Sequence, residues 1–135
     1  MLPDLTVLEA KRYGVFSCSM DTTIREATKI LVREDISGLV VVDEQGSLKG
    51  IITRTDLLKA SITSSESASQ PVHKFMSTAV ITVTPQDSLI TVASLLIEKN
   101  IHRVVIVQPE GSKLRPVGVI SDADLIYHIS KTILE

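Results

Sequence analysis

Gly50-Ile51-Ile52-Thr53-Arg54-Thr55-Asp56-Leu57-Leu58 is the stretch from which the fold of this chain is read. Two β-formers follow a glycine and run into a hydroxyl residue. A carboxylate stands three positions on, where an apolar helical pattern begins. The same order returns at Gly118-Val119-Ile120-Ser121-Asp122-Ala123-Asp124-Leu125-Ile126, so that Ser121 answers Thr53 and Asp124 answers Asp56, 68 positions later in both cases. A strand-to-helix junction written twice implies an internal repeat.

Working upstream, Thr23, Ile24 and Leu39-Val40-Val41-Val42 meet Ser88, Leu89 and Val104-Val105-Ile106-Val107 at an offset of 65. Thr23 with Glu26, and Ser88, predict helix starts. The four-residue apolar runs suit strands covered on both faces. Asp43-Glu44-Gln45-Gly46-Ser47 and Glu110-Gly111-Ser112 read as hairpin turns, the second hairpin being three residues longer. First strands are expected at Val15-Phe16-Ser17-Cys18 and Ile81-Thr82-Val83, return strands at 48–52 and 117–120, and closing helices over 53–60 and 122–132. Each repeat opens on a lead-in, the first with a short helix over Val7 to Arg12.

The predicted fold class is therefore α/β (α+β): two β-α-β-β-α repeats, residues 6–62 and 72–132, joined by a serine-rich linker, 63–71. A repeat of about 60 residues is short of what sustains its own core. The two copies are expected to share one body about a pseudo-two-fold, sheets back to back, with two related pockets.

Composition excludes several function classes. A net charge of −2 and a pI near 5.9 leave no basic excess for nucleic acid or an anionic membrane. Aromatics at 3% with no Trp offer little for base stacking. Cys18 is the single cysteine and reads as a buried thiol. His73, His102 and His128 lack metal-ligand spacing, so no metal site is expected. No nucleophile–base pair or P-loop appears, so no catalytic residue is assigned. The N-terminus lacks the regions of a signal peptide and no apolar run spans a bilayer, which makes a cytoplasmic protein the default.

The capped helix after a first strand, the apolar strand and the closing Gly-x-x-[Ser/Thr]-x-x-Asp, each present twice, resemble a tandem pair of cystathionine-β-synthase (CBS) domains, a Bateman module, over roughly 6–132. Asn100-Ile101-His102-Arg103-Val104-Val105 also resembles the phosphate-contacting stretch of the regulatory gamma subunits of AMP-activated protein kinase. The resemblance implies a regulatory module for AMP, ADP, ATP or another adenosyl ligand such as S-adenosylmethionine, needing no cofactor and assembling as a homodimer. It implies a composite pocket A of Thr53, Arg54, Asp56, Val80, Ile101, His102 and Arg103, and a pocket B of Val15, Ile36, Ser37, Ser121 and Asp124, which by the charges around it is expected to be the weaker for nucleotides. A purely structural CBS pair without ligand is the alternative.

The residues themselves allow two readings. An ionised Asp is acceptor-only and suits the vicinal diol of a ribose. Thr53-x-x-Asp56 and Ser121-x-x-Asp124 also have the spacing of a helix cap, and the two roles are compatible. Arg54, His102 and Arg103 would make pocket A cationic, whereas Asp122 stands where the first repeat has Arg54, and Ser37-Gly38 brings no cation to pocket B. Lys113 and Arg115 read as solvated hairpin residues.

Overall fold

The computed structural model describes residues 1–134. In chain order its main elements are α1 (Val7–Ala10), β1 (Ser17–Ser19), α2 (Ile24–Glu34), β2 (Gly38–Val42), β3 (Leu48–Thr53), α3 (Arg54–Thr63), β4 (Thr82–Val83), α4 (Leu89–Lys99), β5 (Arg103–Glu110), β6 (Lys113–Ser121) and α5 (Asp122–Leu134). The mixed α/β class is as expected. β1-β2-β3 form one three-stranded sheet and β4-β5-β6 another, each with a parallel pair followed by an antiparallel pair. Even the irregularities recur, since the ladder shifts register between Val41 and Val42 and again between Ile106 and Val107.

Local chemistry explains the elements. The Thr23 hydroxyl accepts from the Glu26 amide to start α2, and the Ser88 hydroxyl accepts from the Thr91 amide to start α4. Both helices end on a left-handed residue that tolerates that geometry, Asp35 and Asn100, each at φ 51°. Ile24, Ala27 and Leu31 of α2 are buried, as are Leu89, Val92 and Leu96 of α4, the same helical face repeated 65 positions on.

The chain divides into two compact units that do not coincide with the repeats. One is continuous, Phe16–Val80; the other joins Met1–Val15 to the chain from Ile81 onward. Each lead-in thus belongs to the unit built on the other repeat. In the continuous unit, Val72 is fully buried with Leu39, Val41 and Ile52, and its amide bonds Thr22 O at 2.8 Å. In the discontinuous unit, Val7 is fully buried with Leu89, Val104 and Ile120, and its amide bonds Asp87 O at 2.8 Å. The repeated glycines sit under these lead-ins. A Cβ at Gly50 would lie 2.7 Å from both Met76 Sδ and Ser77 O, and one at Gly118 would lie 2.9 Å from Lys11 Cδ.

Three local expectations are corrected. The first strand begins at Ser17, with Phe16 reaching the ladder only through its carbonyl and Val15 outside it. The lead-in helix is a single turn ending at Ala10. The serine-rich segment is partly folded: α3 runs to Thr63, residues 67–69 form a 3-10 turn and Ser67 is buried. Among the described residues no helix is long and apolar enough to cross a membrane.

Candidate functional site

Both hydroxyl–carboxylate junctions form as strand-to-helix turns. In the first repeat the Thr53 amide and hydroxyl each donate to Asp56 Oδ2 at 2.9 Å, and the Asp56 amide returns a bond of 3.3 Å to Thr53 Oγ1. In the second, the Ser121 amide and hydroxyl donate to Asp124 Oδ2 at 2.8 and 3.2 Å, and the Asp124 amide donates to Ser121 Oγ at 3.4 Å. The capping role is therefore real in both repeats. It uses one carboxylate oxygen and leaves Oδ1 over.

What becomes of Oδ1 separates the repeats. Asp56 is half-buried, and its Oδ1 has no hydrogen bond among the described residues. Asp124 is only 6% exposed, and its Oδ1 accepts from Arg12 Nε at 2.8 Å. A buried carboxylate needs such a partner. Asp124 in turn raises the pKa of the Arg12 guanidinium, chiefly through this hydrogen bond. Neither Asp122 nor Ser37-Gly38 brings a cation to the second-repeat turn; the one beside Asp124 arrives from the lead-in, 112 positions away in sequence. No local wording around Ser121 or Asp124 signals it. The offset of 65 places Ser77 opposite Arg12, and Ser77 instead pairs its backbone with Ile51 at 3.0 Å in both directions.

The other site residues fall into the two units by repeat and lead-in. The continuous unit holds Thr53, Arg54, Asp56 and Val80 with Ile36 and Ser37; the discontinuous unit holds Ser121, Asp124 and Val15 with Ile101, His102 and Arg103. Within each unit the segment before the apolar strand lies beside the turn of its own repeat. The Arg54 amide donates to Ser37 O at 3.2 Å, and the Asp122 amide to His102 O at 2.9 Å. Thr53 pairs with Gly38 across its sheet, and Ser121 with Arg103 across the other. Ile36 and Ile101 are half-buried against their respective cores.

The cations proposed as phosphate readers have acidic neighbours. Arg54 Nη2 lies 3.6 Å from Asp35 Oδ1, and His102 Nδ1 lies 3.1 Å from Asp122 Oδ2. Both pairs are exposed, and exposed pairs contribute little. Arg115 pairs with Glu110 at 2.8 Å in the exposed hairpin. His128 Nε2 lies 2.7 Å from Ala10 O and ties α5 to the first lead-in. Cys18 is buried, and desolvation pushes its thiol up to about 11. No cluster of three metal-ligating side chains forms among the described residues.

Comparison with known proteins places this geometry among relatives. The sequence model of a family described as CBS domain matches residues 3–63 and again 72–131. The chain is 30% identical over 114 residues to the mitochondrial CBS domain-containing protein CBSX3 of Arabidopsis thaliana, covering 81% of this chain and 53% of that protein. It is 30% identical over 111 residues to the CBS domain-containing protein YhcV of Bacillus subtilis, covering 82% and 76%. The chain spans only 53%, 65% and 50% of the lengths of three curated relatives, CBSX3, a 17.7 kDa protein of Acidianus ambivalens and the repressor CcpN of Bacillus subtilis. Among solved structures it is similar to the CBS domain pair of protein MJ0100 in complex with 5′-methylthioadenosine and S-adenosyl-L-methionine. That match has a TM-score of 0.84 and 28% identity, over 96% of this chain and 99% of that one. CBSX2 in complex with AMP shares the fold, with a TM-score of 0.79 at 22% identity over 97% and 99% of the two chains.

Proposed function

This chain is a member of the CBS domain family, carrying the domain twice, and from that premise we propose that it is a non-catalytic regulatory module for an adenosine-containing ligand, an adenine nucleotide foremost. The observation that carries the reading is Asp56 Oδ1, an acceptor left over after the cap is complete. A carboxylate so placed suits the paired hydroxyls of a ribose. A similar CBS pair holding two adenosyl compounds supports the ligand class. The proposed nucleotide-binding set is Thr53, Arg54, Asp56 and Val80 with Ile101, His102 and Arg103.

A panel of AMP, ADP, ATP and S-adenosylmethionine in thermal denaturation tests it. A ligand at about 100 times its Kd stabilises the folded protein by about 2.7 kcal/mol. Asp56→Ala is expected to abolish that shift, while His102→Ala with Arg103→Ala weakens phosphorylated ligands more than adenosine. No shift with any member of the panel overturns the reading.

We also propose that the chain forms a homodimer through its helices, and that binding biases this assembly or its contact with a regulated protein. Equivalent helix positions carry exposed aliphatic residues in both repeats: Val32 and Ile97, 77% and 79% exposed, and Leu58 and Ile126, 68% and 62% exposed. These positions equally suit the alternative of a dimerisation domain without ligand. Sedimentation of Val32→Glu and Ile97→Glu variants tests the assembly, and a wild-type monomer overturns it.

A further inference from the structure

We propose that Arg12 occupies the second carboxylate from within the chain, so that Asp56 is open to a neutral diol ligand while Asp124 is closed to it. The inference rests on the reading of these carboxylates as ribose acceptors.

Three observations carry it. The acceptor left free at Asp56 is filled at Asp124 by Arg12 Nε at 2.8 Å. The guanidinium is held there by more than the ion pair, since its Cζ lies 4.6 Å from the centre of the Tyr127 ring and 5.2 Å from that of Tyr13. Such cation–aromatic contacts favour a desolvated guanidinium, and the Arg12 side chain is only 27% exposed. Finally, no counterpart exists in the other lead-in, where Ser77 stands at the matching position and bonds through its backbone.

A neutral nucleoside brings two hydroxyl donors to the carboxylate and nothing to replace Asp124 as the counter-charge of Arg12. Taking Oδ1 strands a guanidinium whose Nε is paired with that oxygen in the free protein. The exchange therefore favours the unliganded state. Arg12 also borders an open groove of about 470 Å3 lined by Lys11, Tyr13, Tyr127, His128 and Lys131. The groove gives the side chain room to withdraw when its partner is lost. Arg12 is in this sense a specificity-determining residue that makes two similar repeats unequal.

The test uses adenosine as the neutral probe and follows backbone amide resonances of the full chain. In the wild type, the Thr53 and Asp56 amides are expected to shift with adenosine and those of Ser121 and Asp124 to stay. In Arg12→Ala both sets shift, and adenosine binds at the second turn at least about tenfold tighter than in the wild type, a difference of about 1.4 kcal/mol. Arg12→Gln, which keeps most of the side-chain volume, is expected to behave as Arg12→Ala. Arg12→Lys restores the charge and is expected to close the turn again in part. The proposal is overturned if Ser121 and Asp124 respond in the wild type with the same midpoint as Thr53 and Asp56. It is equally overturned if they stay silent in folded Arg12→Ala and Arg12→Gln proteins while Thr53 and Asp56 respond. If Thr53 and Asp56 are silent in every protein, the ribose reading fails and this inference falls with it.

Discussion

Gly50→Ala and Gly118→Ala make the same chemical change at matching positions of the two repeats, and the structure predicts different outcomes. At Gly50 the new Cβ meets Ser77 O and Met76 Sδ, both at 2.7 Å. Ser77 O is a backbone atom already bonded to the Ile51 amide at 3.0 Å, so relief requires moving the lead-in off β3. Overpacking of this kind costs about 1–3 kcal/mol. The higher strand preference of Ala returns roughly 0.5–1 kcal/mol, leaving a net loss centred on about 1 kcal/mol and reaching about 2.5 kcal/mol. At Gly118 the nearest atom, at 2.9 Å, is the Cδ of Lys11, a flexible stem, and Ile106 Cδ1 follows at 3.1 Å. A lysine stem gives way cheaply, so the net change there is expected to lie within about 0.5 kcal/mol of zero. Urea denaturation monitored by circular dichroism reads both values, with unchanged slopes as the check on two-state behaviour. The corresponding change in Tm is about 4 °C per kcal/mol for a chain of this size. A Gly118→Ala protein as unstable as Gly50→Ala, or more so, refutes the claim that the backbone of the second lead-in is pinned against β3.

Other consequences are open to measurement. Asp56→Ala removes the reciprocal cap of α3 and is expected to cost about 1 kcal/mol of stability; a chemical-denaturation difference near zero shows the cap to be dispensable. Val7→Ala leaves a cavity in a fully buried position and is expected to cost about 2 kcal/mol, which calorimetry checks. The Cys18 thiol, raised from its ordinary 9.0 to about 11, is protonated in the folded state over a range where the unfolded thiol ionises. The unfolded state then binds fewer protons, so this group's contribution to stability falls as pH rises from about 9 to 11. Cys18→Ala is expected to lose less stability than the wild type over that range, and parallel pH profiles contradict the assignment. The same burial predicts slow labelling of Cys18 by a thiol reagent at neutral pH in the folded protein, with rapid labelling after unfolding.

The repeat was legible because it is local. Thr53-x-x-Asp56 and Ser121-x-x-Asp124 show in one reading frame what the backbone does there, and the apolar runs 39–42 and 104–107 mark central strands without help from distant residues. The buried faces of α2 and α4 likewise follow from helical spacing alone. The lead-ins were harder. Val7 and Val72 look like any valine in a short stretch of mixed polarity, and nothing nearby reveals that each completes the core built on the other repeat. Arg12 was invisible for the same reason: its partner lies 112 positions on, and its role comes from a tertiary contact that no spacing rule encodes. Glu26 shows the opposite failure. Its spacing from Thr23 suggests a full reciprocal box, but the carboxylate accepts from the Thr23 hydroxyl at 3.1 Å rather than from the backbone amide.

The nesting of one unit inside the other bears on how the protein is made. Residues 1–15 leave the ribosome before Phe16–Val80 yet belong with a sheet whose strands begin only at Thr82. At roughly 5–20 residues per second, every residue of Phe16–Val80 is synthesised while residues 1–15 still lack the sheet they belong with. Completion of the outer unit then awaits the last helix, α5, which supplies both Asp124 and His128 to that segment. Severing the gene within the serine-rich stretch would accordingly yield two fragments, each carrying the plug that belongs to the other's core.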